Sequence, residues 1–330
     1  MTNYTGTGAL VRLALRRDRV MIPIWLAAFV LSAYSSAAAV KGLYSTQLDL
    51  VKASETFNNA TAVVALYGRI YDVTNPAGLA LVKLGGLGGA FVALLSILLV
   101  VRHTRAEEEA GRQELLGATV LGRRAPLTAA LIVAISTDLV LAVLTALALI
   151  GGGFDVVGSF AFGVGWGLTG IAFAGVAAIT AQLTTTSRSA NGLASIVLGV
   201  VYVLRAIGDT AGPGGPGWAT WLSPIGWGQQ LRPFASERWW VAVLPVALAV
   251  VLIPIGYVLV GRRDFAAGLL PDRLGPATAS PSLRSSFALA WRLQRGSLYA
   301  WAAASGLMAV VMGNLATQLS GFLDSPETKE

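Results

Sequence analysis

The sequence predicts an all-α protein that crosses a membrane several times, and three observations lead there. Hydrophobic residues make up 55% of the 330 positions and charged residues 12%, with a mean hydropathy of +0.67. A soluble domain carries about a quarter charged residues, so this chain has half the usual supply of solvated surface. Apolar runs recur along it at the length a bilayer requires, roughly 20 residues per helix. Finally, the basic residues gather at the ends of those runs, so the net charge of +7 and pI near 10 reflect membrane topology rather than nucleic-acid binding.

The runs predict spans at 21–40, 79–101, 127–150, 157–183, 190–207, 241–260 and 299–317. Residues 1–20 precede the first as an interfacial amphipathic helix, because 8–19 (GALVRLALRRDR) alternates apolar and basic positions at helical spacing. The first span is too long for a signal peptide and lacks a small-residue cleavage site, so it is retained. Of the 24 Lys and Arg, sixteen fall on one side if the N-terminus is cytoplasmic, which orients the chain that way in the plasma (cell inner) membrane. Residues 21–261 then form a six-span unit. Its long 41–78 segment is expected to fold over the outer mouth. Five of nine tryptophans lie in 218–240, so about 208–240 is expected to dip into the outer interface as a broken helix pair.

A repeat is legible. Residues 13–33 match 289–309 at nine of 21 positions, including Arg16/Arg292, Arg19/Arg295 and Trp25/Trp301. This predicts a duplicated six-span unit, with 262–298 as a cytoplasmic linker and second interfacial helix and 299–330 as the seventh span and the start of an outer loop. The chain is then expected to cover the first half, plus one helix, of a longer polypeptide.

The segment 105–126 (RAEEEAGRQELLGATVLGRRAP) is an excursion into water between spans two and three. Glu108/Arg112 and Arg105/Glu109 are spaced for helical ion pairs, and Gly111, Leu115 and Ala118 share a stripe with Leu116 beside it. A small apolar face with a charged rim is the anatomy of a protein contact; the plain alternative is a solvated loop that holds topology. The order of features, an acidic cluster, G-R-x-E-L-L, then Gly-Arg-Arg-x-Pro, resembles the coupling helix of ABC-2-type exporter permeases. TTTSRSANGLA (184–194), YVLRAIGD (202–209), WLSPIGWG (221–228), RPFASERWW (232–240) and RRDFAAGLL (262–270) look like the actinobacterial antibiotic, tetronasin-type, branch. The resemblance implies a coupling helix at about 105–120 that docks into ABC ATPase subunits, two copies, through Glu107, Glu108, Glu109, Arg112, Glu114, Leu115 and Leu116.

The chain itself has no phosphate loop: LGGLGGA (84–90) lacks the Lys and the strand-to-helix context. The resemblance therefore puts ATP and Mg on the partner, with no cofactor, metal or catalytic residue in this chain. Without cysteine there is no thiolate chemistry, and the single His103 offers no imidazole cluster. Gly85/Gly89 and Gly163/Gly167 read as small-residue patches for close helix packing.

Within the spans, Asp138 sits about 18 Å into span three at 1.5 Å per residue, where an ionisable group is a functional candidate. It can bind a cationic substrate, accept a proton, pair with Arg205, or act as packing glue with Ser136 and Thr137. Trp166 and Phe173, with Phe162, are candidates for a cavity wall, so the expected substrate path comprises Asp138, Trp166, Phe173 and Arg205. Lys83 can snorkel, and Thr180 and Gln182 suit loop hydrogen bonds. The resulting reading is the permease of an ATP-driven exporter that moves a hydrophobic or amphiphilic antibiotic or drug out of the cytoplasm or inner leaflet. Its rivals are export of a lipid or glycolipid and a proton-coupled secondary transporter using Asp138. An intramembrane enzyme lacks a His/Asp/Glu/Ser constellation in the spans.

Overall fold

The computed structural model describes residues 3–44, 46–111, 121–212, 214–264, 267–270, 278, 283 and 285–323. Two compact units are present, Met1–Asn59 with Val64–Leu270, and Ala60–Val63 with Pro271–Glu330. All regular structure among the described residues is helical.

An amphipathic helix α1 (Thr7–Arg17) leads into α2 (Met21–Val40). Two short helices, α3 (Gln47–Asn59) and α4 (Thr61–Tyr67), fill the predicted outer segment, followed by α5 (Pro76–Arg102) and a five-residue α6 (Arg105–Glu109). Then come α7 (Ala125–Gly151), α8 (Val156–Leu183) and α9 (Ser187–Thr210). A 3-10 turn at Gly217–Leu222 meets α10 (Pro224–Gln230) at Ser223, whose hydroxyl caps α10. Another 3-10 turn, Trp239–Ala242, opens α11 (Val243–Arg262). Six helices are long and apolar enough to cross a membrane, and they coincide with the first six predicted spans. The expected seventh span lies inside α12 (Ser286–Leu323), a single 38-residue helix.

That continuity differs from the predicted division at 298, and the repeat itself supplies a reason. In the first copy the chain turns between α1 and α2 at Asp18, whose buried carboxylate binds Arg102 and His103. The aligned position in the second copy is Gln294, a good helix former with no charge to hold such a turn.

In the first unit the spans run antiparallel. One end carries α1, α6 and the starts of α7 and α9; the other carries α3, α10 and the exposed Trp218, Trp239 and Trp240. Helix α8 is the most enclosed, packed by α5, α7, α9 and α11. Its glycines explain the closeness. A methyl at Gly163 would overlap the carbonyl oxygen of Ala142, and one at Gly167 would stand 2.9 Å from that of Asp138. The predicted Gly163/Gly167 patch is thus the α7–α8 contact. On α5 the tight positions are Gly86 and Gly88 rather than the predicted Gly85 and Gly89: a methyl at Gly88 would lie 2.6 Å from the Trp166 ring. Such contacts let backbones approach where lipid offers no hydrophobic drive between helices.

Gly163→Ala is accordingly expected to cost about 1–3 kcal/mol by overpacking. Gly199→Ala, where nothing lies within 4 Å, should be neutral or gain up to about 1 kcal/mol from helix propensity. Melting curves of the two variants in detergent check the contrast.

Candidate functional site

At the basic end, the acidic triplet 107–109 meets three different elements. Glu107 pairs with Arg17 of α1. Glu108 is buried and accepts from Arg105 at 2.9 Å and from both terminal nitrogens of Arg263, one of them at 2.9 Å. Glu109 accepts from the backbone N–H (2.9 Å) and hydroxyl (2.6 Å) of Ser187, the first residue of α9.

Arg105 is fully buried, and its guanidinium donates to the Ala181 carbonyl from Nε (2.9 Å) and Nη2 (2.7 Å). Ala181 is in the last turn of α8, where four carbonyls lose their helical partners. All four are met here: Thr180 by the Thr184 hydroxyl, Ala181 by Arg105, Gln182 by Leu269 N–H at 3.1 Å, and Leu183 by Leu270 N–H at 2.8 Å. Arg263 also donates from Nε to the Gln182 amide oxygen at 2.6 Å, the loop role expected of Gln182. Two guanidinium groups on one carboxylate leave a net positive charge at the negative pole of α8.

Beside this junction Asp18, fully buried, accepts from Arg102 at 3.0 Å and lies 2.7 Å from His103 Nε2. Backbone bonds Gly122 N–H to Thr5 O and Arg124 N–H to Asn3 O, both 3.0 Å, pin the segment before α1 to the start of α7.

Glu107, Glu108 and Glu109 were expected to orient a partner contact; their carboxylates bind within the membrane unit, and of the three Glu108 is enclosed while Glu109 is exposed. A buried guanidinium such as that of Arg105 needs a counter-charge, which Glu108 supplies. Arg112, Glu114, Leu115 and Leu116 lie outside the described residues. Sequence reasoning missed Arg263 in the junction and Asp18 beside it, and it paired Arg105 with Glu109 where the structure pairs it with Glu108. The available signal was Asp18 itself, the one acid in an otherwise basic amphipathic run.

The expected substrate path separates into distinct places. Asp138 is fully buried in α7, and Ser96 of α5 donates toward its carboxylate, 2.8 and 2.9 Å from the two oxygens. Gly170 of α8 makes room for it, since a methyl there would overlap the carboxylate. The alternatives of pairing with Arg205 and of glue with Ser136 and Thr137 are both corrected. Arg205 sits at the opposite end of the bundle, bound to Asp209 at 3.3 Å and to the Ala65 and Leu66 carbonyls, with Tyr202 under its guanidinium. Thr137 bonds back to Val133, and Ser136 faces outward. Phe173, 1% exposed, belongs to the apolar core.

Trp166 does line a small cavity, of about 60 Å³, at the tryptophan-bearing end. Its walls are α5 (Leu81, Gly85), α8 (Phe162, Trp166, Thr169), α10 (Gln229), and the segments 69–72 and 233–235. The indole N–H is held by Leu84 O at 3.1 Å, and Phe29 and Phe162 pack on the ring. Phe234 closes one side from a backbone in the left-handed region (φ 63°), as do Arg232 and Ser236 beside it, an arrangement uncommon for such residues. Tyr71 lies under the Arg232 guanidinium and accepts from Gln230 at 3.0 Å. Burial, with Asp209 nearby, pushes its phenol above the usual range, so it remains a neutral polar group.

An antiparallel six-span bundle, an amphipathic helix ahead of it, a short polar helix between the second and third spans and a broken helix pair before the sixth define the class as the membrane unit of an ABC-2-type exporter permease. A family model described as "Multidrug efflux system permease Rv1217c, C-terminal domain" matches residues 9–260 and 283–330, and the chain belongs to that family. The chain is also similar to the multidrug efflux system permease protein Rv1217c of Mycobacterium tuberculosis, 41% identical over 315 residues. That match covers 95% of this chain and 56% of the relative, so the chain spans little more than half the relative's length.

Removing Glu108 takes away the acid that Arg105 and Arg263 share. Glu108→Ala is expected to cost about 3–5 kcal/mol, while Lys52→Ala on the exposed face of α3 should stay within about 0.5 kcal/mol. Denaturation in detergent, with the Glu108/Arg263 double-mutant cycle, measures both.

Proposed function

We propose that this chain is the permease portion of an ATP-driven exporter for hydrophobic or amphiphilic drugs, working with a separate ABC ATPase, in two copies, that binds ATP and Mg. The bundle end with the acidic junction faces the cytoplasm, placing the N-terminus there. Support comes from the arginines at that end (Arg16, Arg17, Arg102, Arg123, Arg188, Arg263) and the exposed tryptophans at the other, as the inside-positive bias and the aromatic belt require. The chain itself is then a transporter component and not an enzyme.

The single observation that carries the mechanism is the junction. A push on the segment following α6 reaches α1 through Glu107, α8 and the 263–270 segment through Arg105 and Glu108, and α9 through Glu109. The ATPase contact falls to residues 112–120, with Leu115 and Leu116 as anchors, and the triplet passes its motion on.

Tagged chain purified from its native membranes should bring down an ATPase subunit, and a Leu115→Asp, Leu116→Asp double variant should lose it. Glu108→Gln should keep the ATPase and lose drug export. Absence of any ATPase from the unmodified sample would overturn the reading.

One observation favours a second reading. Asp138 is a fully buried carboxylate whose described partner is a hydroxyl rather than a cation, the setting of a proton carrier. Asp138→Asn preserves the Ser96 hydrogen bond and should leave ATP-driven export largely intact. Loss of transport with full ATPase recovery would instead favour proton coupling.

A further inference from the structure

At the junction end of the bundle, Arg124 caps the start of α7 and has no carboxylate partner among the described residues. Its guanidinium is half-buried, donates from Nη1 to the hydroxyl oxygen of Tyr4 at 3.3 Å, and lies 5.9 Å from the centre of the Tyr257 ring on α11. The Tyr4 hydroxyl keeps its own proton to give, with no acceptor among the described residues, and Tyr4 is 45% exposed. Thr128 spends its proton on Arg124 O at 2.8 Å, so the Tyr257 hydroxyl donates to Thr128, also at 2.8 Å, and is used up. Arg124 and Tyr4 thus converge as donors without an acid, at the positive pole of a 27-residue helix. Phosphate oxygens match such a guanidinium.

A groove of about 300 Å³ starts beside them, at Thr128 and Tyr257, and follows the seam between α7 and α11. Its walls are apolar: Leu131, Ile132 and Ile135 from α7, Ile253 from α11. Ile132 and Ser136 are exposed, so the groove opens sideways to the membrane rather than into the bundle. Positions 124 and 136 stand about 18 Å apart along the helix at 1.5 Å per residue. One leaflet of hydrocarbon is about 15 Å deep, half of a core of about 30 Å. A soluble anion has no use for that length of apolar wall, whereas an acyl chain fills it. Basic groups at helix ends beside a membrane boundary select acidic headgroups.

We propose that this seam holds one anionic phospholipid, with its phosphate on Arg124 and the Tyr4 hydroxyl and an acyl chain in the α7–α11 groove. Bound there, the lipid ties the segment before α1 to the starts of the two spans that flank the groove. Assigning it to the cytoplasmic leaflet rests on the orientation proposed above; the binding itself does not.

Photolabelling of the full chain in lipid nanodiscs tests it, with phosphatidylglycerol and phosphatidylcholine carrying the same diazirine-bearing acyl chain as probes. Peptide mapping reads the labels at 128–136 and 253–257, normalised to the exposed stretch 196–203 of α9. Phosphatidylglycerol should label the groove about fivefold more, the advantage one arginine gives an acidic lipid. Arg124→Gln should erase that preference while phosphatidylcholine labelling persists, which shows that the variant still folds. If Arg124→Gln does not fold, Tyr4→Phe, which keeps the ring on Tyr257 and removes only the hydroxyl, should lower the preference by about twofold or more. Equal labelling by both lipids in the unmodified chain, or a preference unchanged by either variant, overturns the proposal. Loss of the preference in inorganic phosphate, but not in chloride of equal ionic strength, also overturns it by marking a site for the free anion. No ATPase is needed, so a selective groove in a preparation that recovers no ATPase leaves this site standing while the exporter reading falls.

Discussion

The structure hangs on how one helix ends. Helix α8 is enclosed by its neighbours over its whole length, so its last carbonyls have little water to turn to, and an unmatched carbonyl in that position is expensive. The chain meets the need from two distant stretches: a buried arginine at the start of α6 and the backbone of Leu269 and Leu270. A buried arginine then demands an acid, which Glu108 supplies, and Glu108 in turn gathers Arg263. Each requirement follows from the previous one. The acidic cluster is therefore first a consequence of ending a buried helix at a membrane surface.

The same logic separates the two copies of the repeat. In the first, Asp18 turns the chain between α1 and α2 because Arg102 and His103 stand ready at the end of α5. In the second, Gln294 occupies the aligned position, and the helix continues through it. Identity at the arginines and the tryptophan made the repeat visible, while the residue that decides the local backbone is one where the copies differ.

What the sequence made legible follows from the size of each signal. Twenty-residue apolar runs fix six spans to within a few residues, since nothing else satisfies so much apolar backbone. The glycine spacing on α8 also read correctly, because small residues four apart share a face. Partner choice for charges did not. Glu108 looked like one of three equivalent rim acids, and only the fold shows that it is enclosed between two arginines contributed by residues 158 positions apart. Asp138 suffered likewise: depth was readable from residue count, but the facing hydroxyl of Ser96 and the space at Gly170 belong to other helices. The small cavity was hinted at by Trp166 and Phe162, while its remaining wall comes partly from loops whose contacts leave no periodicity.

Helix α8 also joins these places in one rigid body. Trp166 and Thr169 form the cavity wall, Gly170 receives Asp138, and Ala181 takes the arginine, all on one helix without an internal proline. Fifteen residues separate Trp166 from Ala181, about 22 Å at 1.5 Å per residue. On the proposed reading, a displacement delivered to Arg105 therefore arrives at the cavity as a shift of one wall. The facing wall, α10 and the 233–235 loop, packs on α8 itself, backbone to backbone at Gly165 and Gly228 and with the Phe234 ring over Gly158, as well as on α5 and α9. Movement of α8 is then passed to α10 through that backbone contact, so the two sides of the cavity are coupled through the same helix that receives Arg105.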